Sequence, residues 1–383
     1  MPLPPTNNAR RTRILIVDDS AVIRGLLRTV IASGNGLEVV GTAGDGEAAL
    51  QAVESQRPDL VLLDVEMPVM DGLVTLKKLR SRGHKMPVIM CSSLTQRGAR
   101  VTIEALASGA SDYVAKPHNQ SGREAALEAL SHELIPKIHA LTQQMVPAPA
   151  AASLPHRSGI TALSPLAPSV RPQPIPTAPL AVLAIGVSTG GPAALDVVLP
   201  ALPADFPLPV LIVQHMPEVF TRLFAERLNL RCKLQVREGA EGELVRPGFI
   251  SIARGNWHME VRSGHPGQSA SLHLTQAPLE NHCRPSVDVL FRSLAPIYGS
   301  GTLAVILTGM GSDGLASCRL LRERGCPILA QDQATSAVWG MPGAVANAGI
   351  AHRVLPLNQV APEILRIVSR SHFEAQQLRE AAV

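Results

Sequence analysis

Apolar and polar positions along the chain fall into two stretches of the same rhythm, separated by a stretch with none. From Arg13, the short apolar runs Ile14–Val17, Leu60–Leu63, Val88–Cys91 and Tyr113–Ala115 predict buried strands. Between them Ala21–Ala32, Gly46–Gln56 and Leu73–Arg80 carry helix-like spacing. Strands alternating with helices predict an α/β fold with a doubly wound parallel sheet. The rhythm returns after residue 180. Leu180–Ile185, Pro209–Gln214 and Thr302–Leu307 read as strands, a helix is expected to open at Pro192, and Leu315–Arg324 reads as another. From about Val146 to Pro179 proline and alanine dominate without periodicity, which predicts an extended, semi-rigid spacer. The amphipathic stretch Leu127–Leu141 is expected to close the first domain and lead into it.

The expected organisation is a flexible tail over 1–12, an α/β domain over 13–132, and a connecting helix with a Pro/Ala-rich linker over 133–179. A larger α/β domain over 180–372 and a C-terminal tail over 373–383 complete it.

The polar residues of the first domain follow its strands. Asp18 and Asp19 come after the first, Asp64 after the second, then Ser92, then Lys116. In open α/β sheets the ligand crevice lies beyond the carboxyl ends of the strands, so these groups are expected to converge. Three close carboxylates repel one another unless a cation joins them, and oxygen-only ligands suit Mg²⁺. The plainer alternative is a ring of loop acids on the surface.

In the second domain Ser188 lies in Gly186-Val-Ser-Thr-Gly-Gly-Pro192, a glycine-rich turn between strand and helix. The pattern G-x-S-x-G resembles a nucleophile elbow, and free backbone N–H groups there could hold an oxyanion. A serine in such a turn also serves as a helix cap or phosphate contact. His215 follows Pro209–Gln214, and Asp313 sits in the loop after Thr302–Leu307. A hydroxyl, an imidazole and a carboxylate on one rim are the parts of a nucleophilic triad. His258 and His282 are alternative bases, and Asp288 and Asp332 alternative acids. Gly309, Gly311 and Gly314 could cradle a phosphate, but no Gly-Lys-Ser/Thr follows, which disfavours a P-loop. The order Ser, His, Asp also differs from that of α/β-hydrolases.

Composition narrows the picture. A length of 383 residues with 46% hydrophobic content allows two or three domains with real cores. A net charge of +4 and 3% aromatics argue against a nucleic-acid binder, and no basic recognition helix follows the linker. Five cysteines without a C-x-x-C pair fit a reduced, cytoplasmic protein. No signal-peptide or membrane-spanning run is present, so any membrane association is expected through a partner.

Two resemblances make these expectations specific. Asp18-Asp19, Asp64-Val-Glu-Met-Pro-Val-Met-Asp-Gly72, Ser92 and Lys116-Pro117 resemble a response-regulator receiver domain, of the flavodoxin-type sheet. The resemblance implies that Asp64 accepts a phosphoryl group from a histidine kinase. It implies that Asp19 and Asp64 bind Mg²⁺ with Asp18 assisting, that Ser92 and Lys116 contact the phosphoryl oxygens, and that Tyr113 is the aromatic switch.

Gly186-Val-Ser-Thr-Gly-Gly-Pro192, Gln214-His-Met-Pro217, Arg284-Pro-Ser-Val-Asp-Val-Leu-Phe291, Leu307-Thr-Gly-Met-Gly-Ser-Asp-Gly314 and Gly340-Met-Pro342 resemble the catalytic domain of CheB-type protein-glutamate methylesterases. That resemblance implies a Ser188, His215, Asp313 triad, an oxyanion site near the Met310 backbone, and Thr189 lining the cleft. It implies hydrolysis of glutamyl methyl esters on methyl-accepting chemoreceptors, with deamidation of glutamines by the same attack and no cofactor for the hydrolysis. It also implies that the receiver covers the cleft until phosphorylated. Arg254, Trp339 and Gly343 depart from the family pattern, away from the triad. A phospho-switched adaptor, or a hydrolase of the same chemistry outside chemotaxis, are the competing readings.

Overall fold

The computed structural model describes residues 10–116, 122–143, 175, 178–264 and 269–380. Pro117, residues 1–9 and 381–383 of the expected tails, and nearly all of the expected linker lie outside the described residues. The chain divides into two compact units, Met1–Gln143 and Gln144–Val383.

The first unit runs β1 (Thr12–Val17), α1 (Ala21–Ser33), β2 (Leu37–Ala43), α2 (Gly46–Gln56), β3 (Leu60–Asp64), α3 (Gly72–Ser81), β4 (Val88–Ser92), α4 (Gln96–Ala107), β5 (Asp112–Ala115) and α5 (Arg123–Gln143). Its five strands lie in the order β2-β1-β3-β4-β5, every pair parallel. The order reverses between β1 and β3, which opens a crevice at their carboxyl ends. β3 and β4 are buried throughout, as their continuous apolar runs require. β2 was not legible as a strand because it is an edge strand, half-exposed along most of its length, without a continuous apolar run. The 132/133 boundary expected from the sequence falls inside α5. Leu134, Ile138 and Leu141 are buried, so this helix belongs to the first unit to its end.

The second unit runs β6 (Val182–Val187), α6 (Gly191–Val198), β7 (Val210–Gln214), α7 (Glu218–Asn229), β8 (Gln235–Glu238), β9 (Phe249–Ile252), β10 (His258–Arg262), β11 (Ser271–Thr275), α8 (Val287–Tyr298), β12 (Thr302–Ile306), α9 (Leu315–Glu323), β13 (Ile328–Gln331), α10 (Met341–Asn347), β14 (Arg353–Leu355) and α11 (Leu357–Glu380). Seven strands form one parallel sheet, β14-β13-β12-β6-β7-β9-β8, and β10 and β11 form a separate antiparallel hairpin. The strand order reverses at β6, between β12 and β7, so the crevice opens where β6 ends.

β6 ends two residues later than the apolar run alone indicated. Gly186 belongs to the strand because α8 packs directly over it: a Cβ there would lie 2.5 Å from Val287 Cγ1. Residues 373–380, expected as a tail, continue α11. Among the described residues no helix is long and apolar enough to cross a membrane.

Candidate functional site

Ser188 is the first residue after β6 and His215 the first after β7. The two strands are neighbours with Val187 opposite Gln214, so both side chains start from adjacent positions on the rim. On the other flank Ser188 N–H donates to Thr308 C=O at 3.0 Å, which ties the turn to the loop after β12. The turn is tight: Gly191 N–H donates back to Ser188 C=O at 2.8 Å. Its left-handed residue is Gly190 (φ 78°), and Ser188 is not among the residues with positive φ. The strain of a nucleophile elbow is therefore carried by the glycine.

Gln214, buried at the end of β7, donates its amide to Ser188 C=O at 2.9 Å and to His215 C=O at 3.2 Å. Gly191 must be glycine here, because a Cβ would lie 2.0 Å from Gln214 Oε1.

His215 Nε2 meets Asp313 Oδ2 at 2.8 Å, while Nδ1 lies 3.6 Å from Cys283 Sγ. The ring thus turns Nε2 to the acid and leaves Nδ1 for its other neighbours. No hydrogen bond joins the Ser188 hydroxyl to the imidazole among the described residues; apo sites commonly hold this contact loose.

Asp313 is 3% exposed. Its Oδ1 accepts from Asn281 Nδ2 at 2.7 Å, Ser286 Oγ at 2.8 Å and Asp288 N–H at 3.1 Å; its Oδ2 also accepts from Val287 N–H at 2.7 Å. Two of these donors are the first N–H groups of α8, where a helix favours an anion. Burial pushes the Asp313 carboxyl up, but His215, Val287 N–H and Ser286 outweigh it and hold the pKa at about 2. Burial pushes the His215 imidazole down, but Asp313 and Cys283 outweigh it and raise the pKa to about 9.

The alternative residues have other duties. His258 is buried, with Nε2 against Pro278 C=O at 3.0 Å and Nδ1 accepting from Ser286 N–H at 3.3 Å. His282 is exposed in a turn. Asp332 caps its own loop through Thr335. Asp288 stands behind Asp313, accepting from Ser317 N–H at 2.7 Å and Asn281 at 2.8 Å.

Thr189 is 5% exposed and packs inward, its carbonyl accepting from Thr308 Oγ1 at 2.9 Å. Met310 stands out at 37% exposure. The N–H groups of Gly190 and Met310 have no acceptor among the described residues.

The departures at Trp339 and Gly343 are one feature. A Cβ at Gly343 would lie 3.0 Å from the Trp339 ring, so the glycine makes room for the indole. Arg254 pairs with Glu218 and lies 5.7 Å from the Trp257 ring centroid.

In the first unit Asp18, Asp19 and Asp64 each place an oxygen within 4.8 Å of the others. Lys116 Nζ pairs with Asp18 Oδ2 and Asp64 Oδ1, both at 2.7 Å. Asp18 Oδ2 is fully buried and receives no hydrogen bond of good geometry beyond this ion pair. Burial, and then the Asp18 charge, raise the Asp64 carboxyl to about 6 despite Lys116. Three carboxylates this close, with one lysine ammonium shared between two of them, fit a hard divalent cation.

Ser92 is buried and accepts from Thr102 Oγ1 at 2.7 Å; Tyr113 is buried at the end of the sheet. Gly72 closes the loop against Asp64, since a Cβ would lie 2.0 Å from its carbonyl oxygen.

Residues 183–364 match the family model for the CheB methylesterase, and residues 14–128 match that for the response regulator receiver domain. The chain is 49% identical to the protein-glutamate methylesterase/protein-glutamine glutaminase of Nocardioides sp., over 94% of this chain and 96% of the relative. The chain belongs to the CheB protein-glutamate methylesterase family. A relative of the same name from Trichodesmium erythraeum is 45% identical over 92% of this chain and 98% of its own length. The CheB catalytic domain of Thermotoga maritima, a solved structure, is 39% identical, covers 49% of this chain and 99% of its own, and aligns with a TM-score of 0.48.

Sequence reasoning missed Asn281, Cys283 and Gln214. Gln214 ends an apolar run and carries no signal of its own beyond the Gln214-His-Met-Pro217 motif. Asn281 and Cys283 sit in a surface turn before the Arg284–Phe291 motif, where no periodicity marks them.

Proposed function

We propose that this CheB-family chain hydrolyses glutamyl methyl esters of chemoreceptors by serine acyl transfer, switched on by phosphorylation of Asp64. The hydrogen bond of 2.8 Å between His215 and the buried Asp313, beside the strand end that carries Ser188, is the observation that carries this reading. Ser188 Oγ attacks the ester carbonyl as Nδ1 of His215 takes its proton. Asp313 fixes the Nε2–H tautomer and stabilises the imidazolium. The Gly190 and Met310 N–H groups are the oxyanion donors. The imidazolium returns its proton to the departing methoxide, and methanol leaves. Water, deprotonated by the same nitrogen, then releases the glutamate. A glutamine amide follows the same path with ammonia leaving, so the chain is proposed to act as a glutaminase also.

In the receiver, Asp18, Asp19 and Asp64 would hold Mg²⁺, which supplies charge to neutralise the phosphoryl oxygens when bound. Asp64 offers its carboxylate to a histidine kinase's phosphoryl group; Lys116 and Ser92 are placed to meet the new charge, and Tyr113 to follow Ser92. The new charge is proposed to shift the chain from a less active to a more active state.

Methanol release from methylated receptor membranes tests both halves. Acetyl phosphate with Mg²⁺ is expected to stimulate the wild-type chain and to leave Asp64→Ala at its basal rate. Stimulation of that variant, or no release by the stimulated wild type, refutes the reading. The adaptor alternative expects no methanol at all.

Cys283 helps to hold a proton on His215, so removing the thiol lowers the imidazole's proton affinity. The acid limb of kcat/KM should then move to lower pH in Cys283→Ala, raising activity near neutrality. A pH profile of the two proteins checks this, and an unmoved limb counts against His215 Nδ1 as the working base.

A further inference from the structure

Glu280 to Cys283 close on themselves. Glu280 N–H donates to Cys283 C=O at 3.1 Å, and Cys283 N–H to Glu280 C=O at 2.9 Å. A two-residue loop of this kind needs positive φ at both central residues, and Asn281 (52°) and His282 (61°) supply it. The turn is pinned by Glu280, whose two carboxylate oxygens each take a hydrogen bond of 2.7 Å from Arg292 on α8.

The turn's own geometry asks only for a residue that tolerates the left-handed region; glycine or aspartate would serve. Its asparagine does something further. Nδ2 lies 2.7 Å from Asp313 Oδ1 and 2.8 Å from Asp288 Oδ2, so both amide protons are spent between two buried carboxylates. Asp288 is otherwise held by Ser317 N–H, and Asp313 by the start of α8. Like charges this close destabilise each other unless donors separate them. The amide is the bridging donor, and together with Ser286 Oγ and Asp288 N–H it occupies Oδ1, leaving Oδ2 to Val287 N–H and the imidazole.

We propose that Asn281 is a positioning residue for the triad acid, holding the Asp313 carboxylate in the rotation that presents Oδ2 to His215 and screening it from Asp288. This rests on the reading of Asp313 as that acid. Asn281 itself acts only through the carboxylate. The charged and titratable groups facing the cluster are Asp288, Asp313, His215 and Cys283, with buried Cys318 of α9 beside the two acids, His258 behind Ser286 and the Glu280–Arg292 pair at the turn's base.

Two substitutions keep the positive φ the turn requires, Asn281→Gly and Asn281→Asp. Both are to be measured in the full chain, as methanol release with acetyl phosphate, beside Ser188→Ala. Asn281→Gly is expected to lose about 10-fold in kcat with KM unchanged, because the lost contact serves the reacting state. Asn281→Asp places a third carboxylate against the first two and tightens the imidazole's hold on its proton. Its acid limb of kcat/KM should move up by roughly one pH unit, with activity regained on the alkaline side. A merely structural role would lower the unfolding temperature without moving the limb.

Wild-type kcat in Asn281→Gly, or an Asn281→Asp whose limb stays put or which regains nothing at high pH, overturns the proposal while leaving the triad standing. Activity in Ser188→Ala would instead bring down the reading beneath it.

Discussion

Ser188→Ala is expected to lower methanol release by roughly four to six orders of magnitude, the scale on which nucleophile removal acts in serine hydrolases. Thermal unfolding should not change, and the reason is local. What ties residue 188 into the fold is its main chain: its N–H donates to Thr308 C=O, and its C=O accepts from Gly191 N–H and Gln214 Nε2. Alanine keeps all three. The hydroxyl holds no hydrogen bond among the described residues, so its loss leaves no donor or acceptor orphaned. Its loss does remove the only atom proposed to attack the carbonyl. The oxyanion donors at Gly190 and Met310 remain and should leave a small residual rate above that of water. Methanol assay and calorimetry on the same sample separate the two effects. Release near the wild-type rate by a normally folded Ser188→Ala ends the acyl-transfer mechanism.

Asp313→Asn should cost about four orders of magnitude in kcat, for a different reason, and should also destabilise the domain. Every polar contact of the carboxylate is an acceptance: three donors converge on Oδ1, and Val287 N–H and His215 on Oδ2. An NH₂ group on the Oδ1 side would face all three. It therefore settles on the Oδ2 side, against one N–H and the imidazole. There it offers a proton to Nε2, which must become an acceptor, and the ring's proton moves to Nδ1. An imidazole protonated at Nδ1 cannot take a proton from the serine. The analogous change in serine proteases costs about 10⁴ in kcat through the wrong tautomer. The unmet Val287 donor adds about 1–3 kcal/mol of destabilisation. The two readouts are kcat at the alkaline plateau and the unfolding midpoint. A variant with normal kcat would show that the imidazole needs no partner at Nε2.

How much of this was legible beforehand differs by residue. Asp18, Asp64, Ser92 and Lys116 each follow an apolar run, and the carboxyl-end rule places them together without any contact being known. Ser188, His215 and Asp313 were assigned to one rim by the same rule. Their partners were not. Asn281 and Cys283 lie on a surface turn whose sequence carries no apolar period, and Gln214 looks like the last residue of a strand. One strand end differed where packing overrides pattern: α8 lying on Gly186 lengthens β6.

The sequence by itself determined the kinds of element, their alternation, and which chemical groups stand at strand ends, because burial periodicity and turn chemistry are local. Only the tertiary structure decided the rest. Strand order set Ser188 beside His215, and a contact across 98 residues joined His215 to Asp313 through Nε2. The start of α8 and the Asn281 turn then closed around that carboxylate. Register and ring orientation depend on pairings distant in sequence, and no local pattern of residues encodes them one segment at a time.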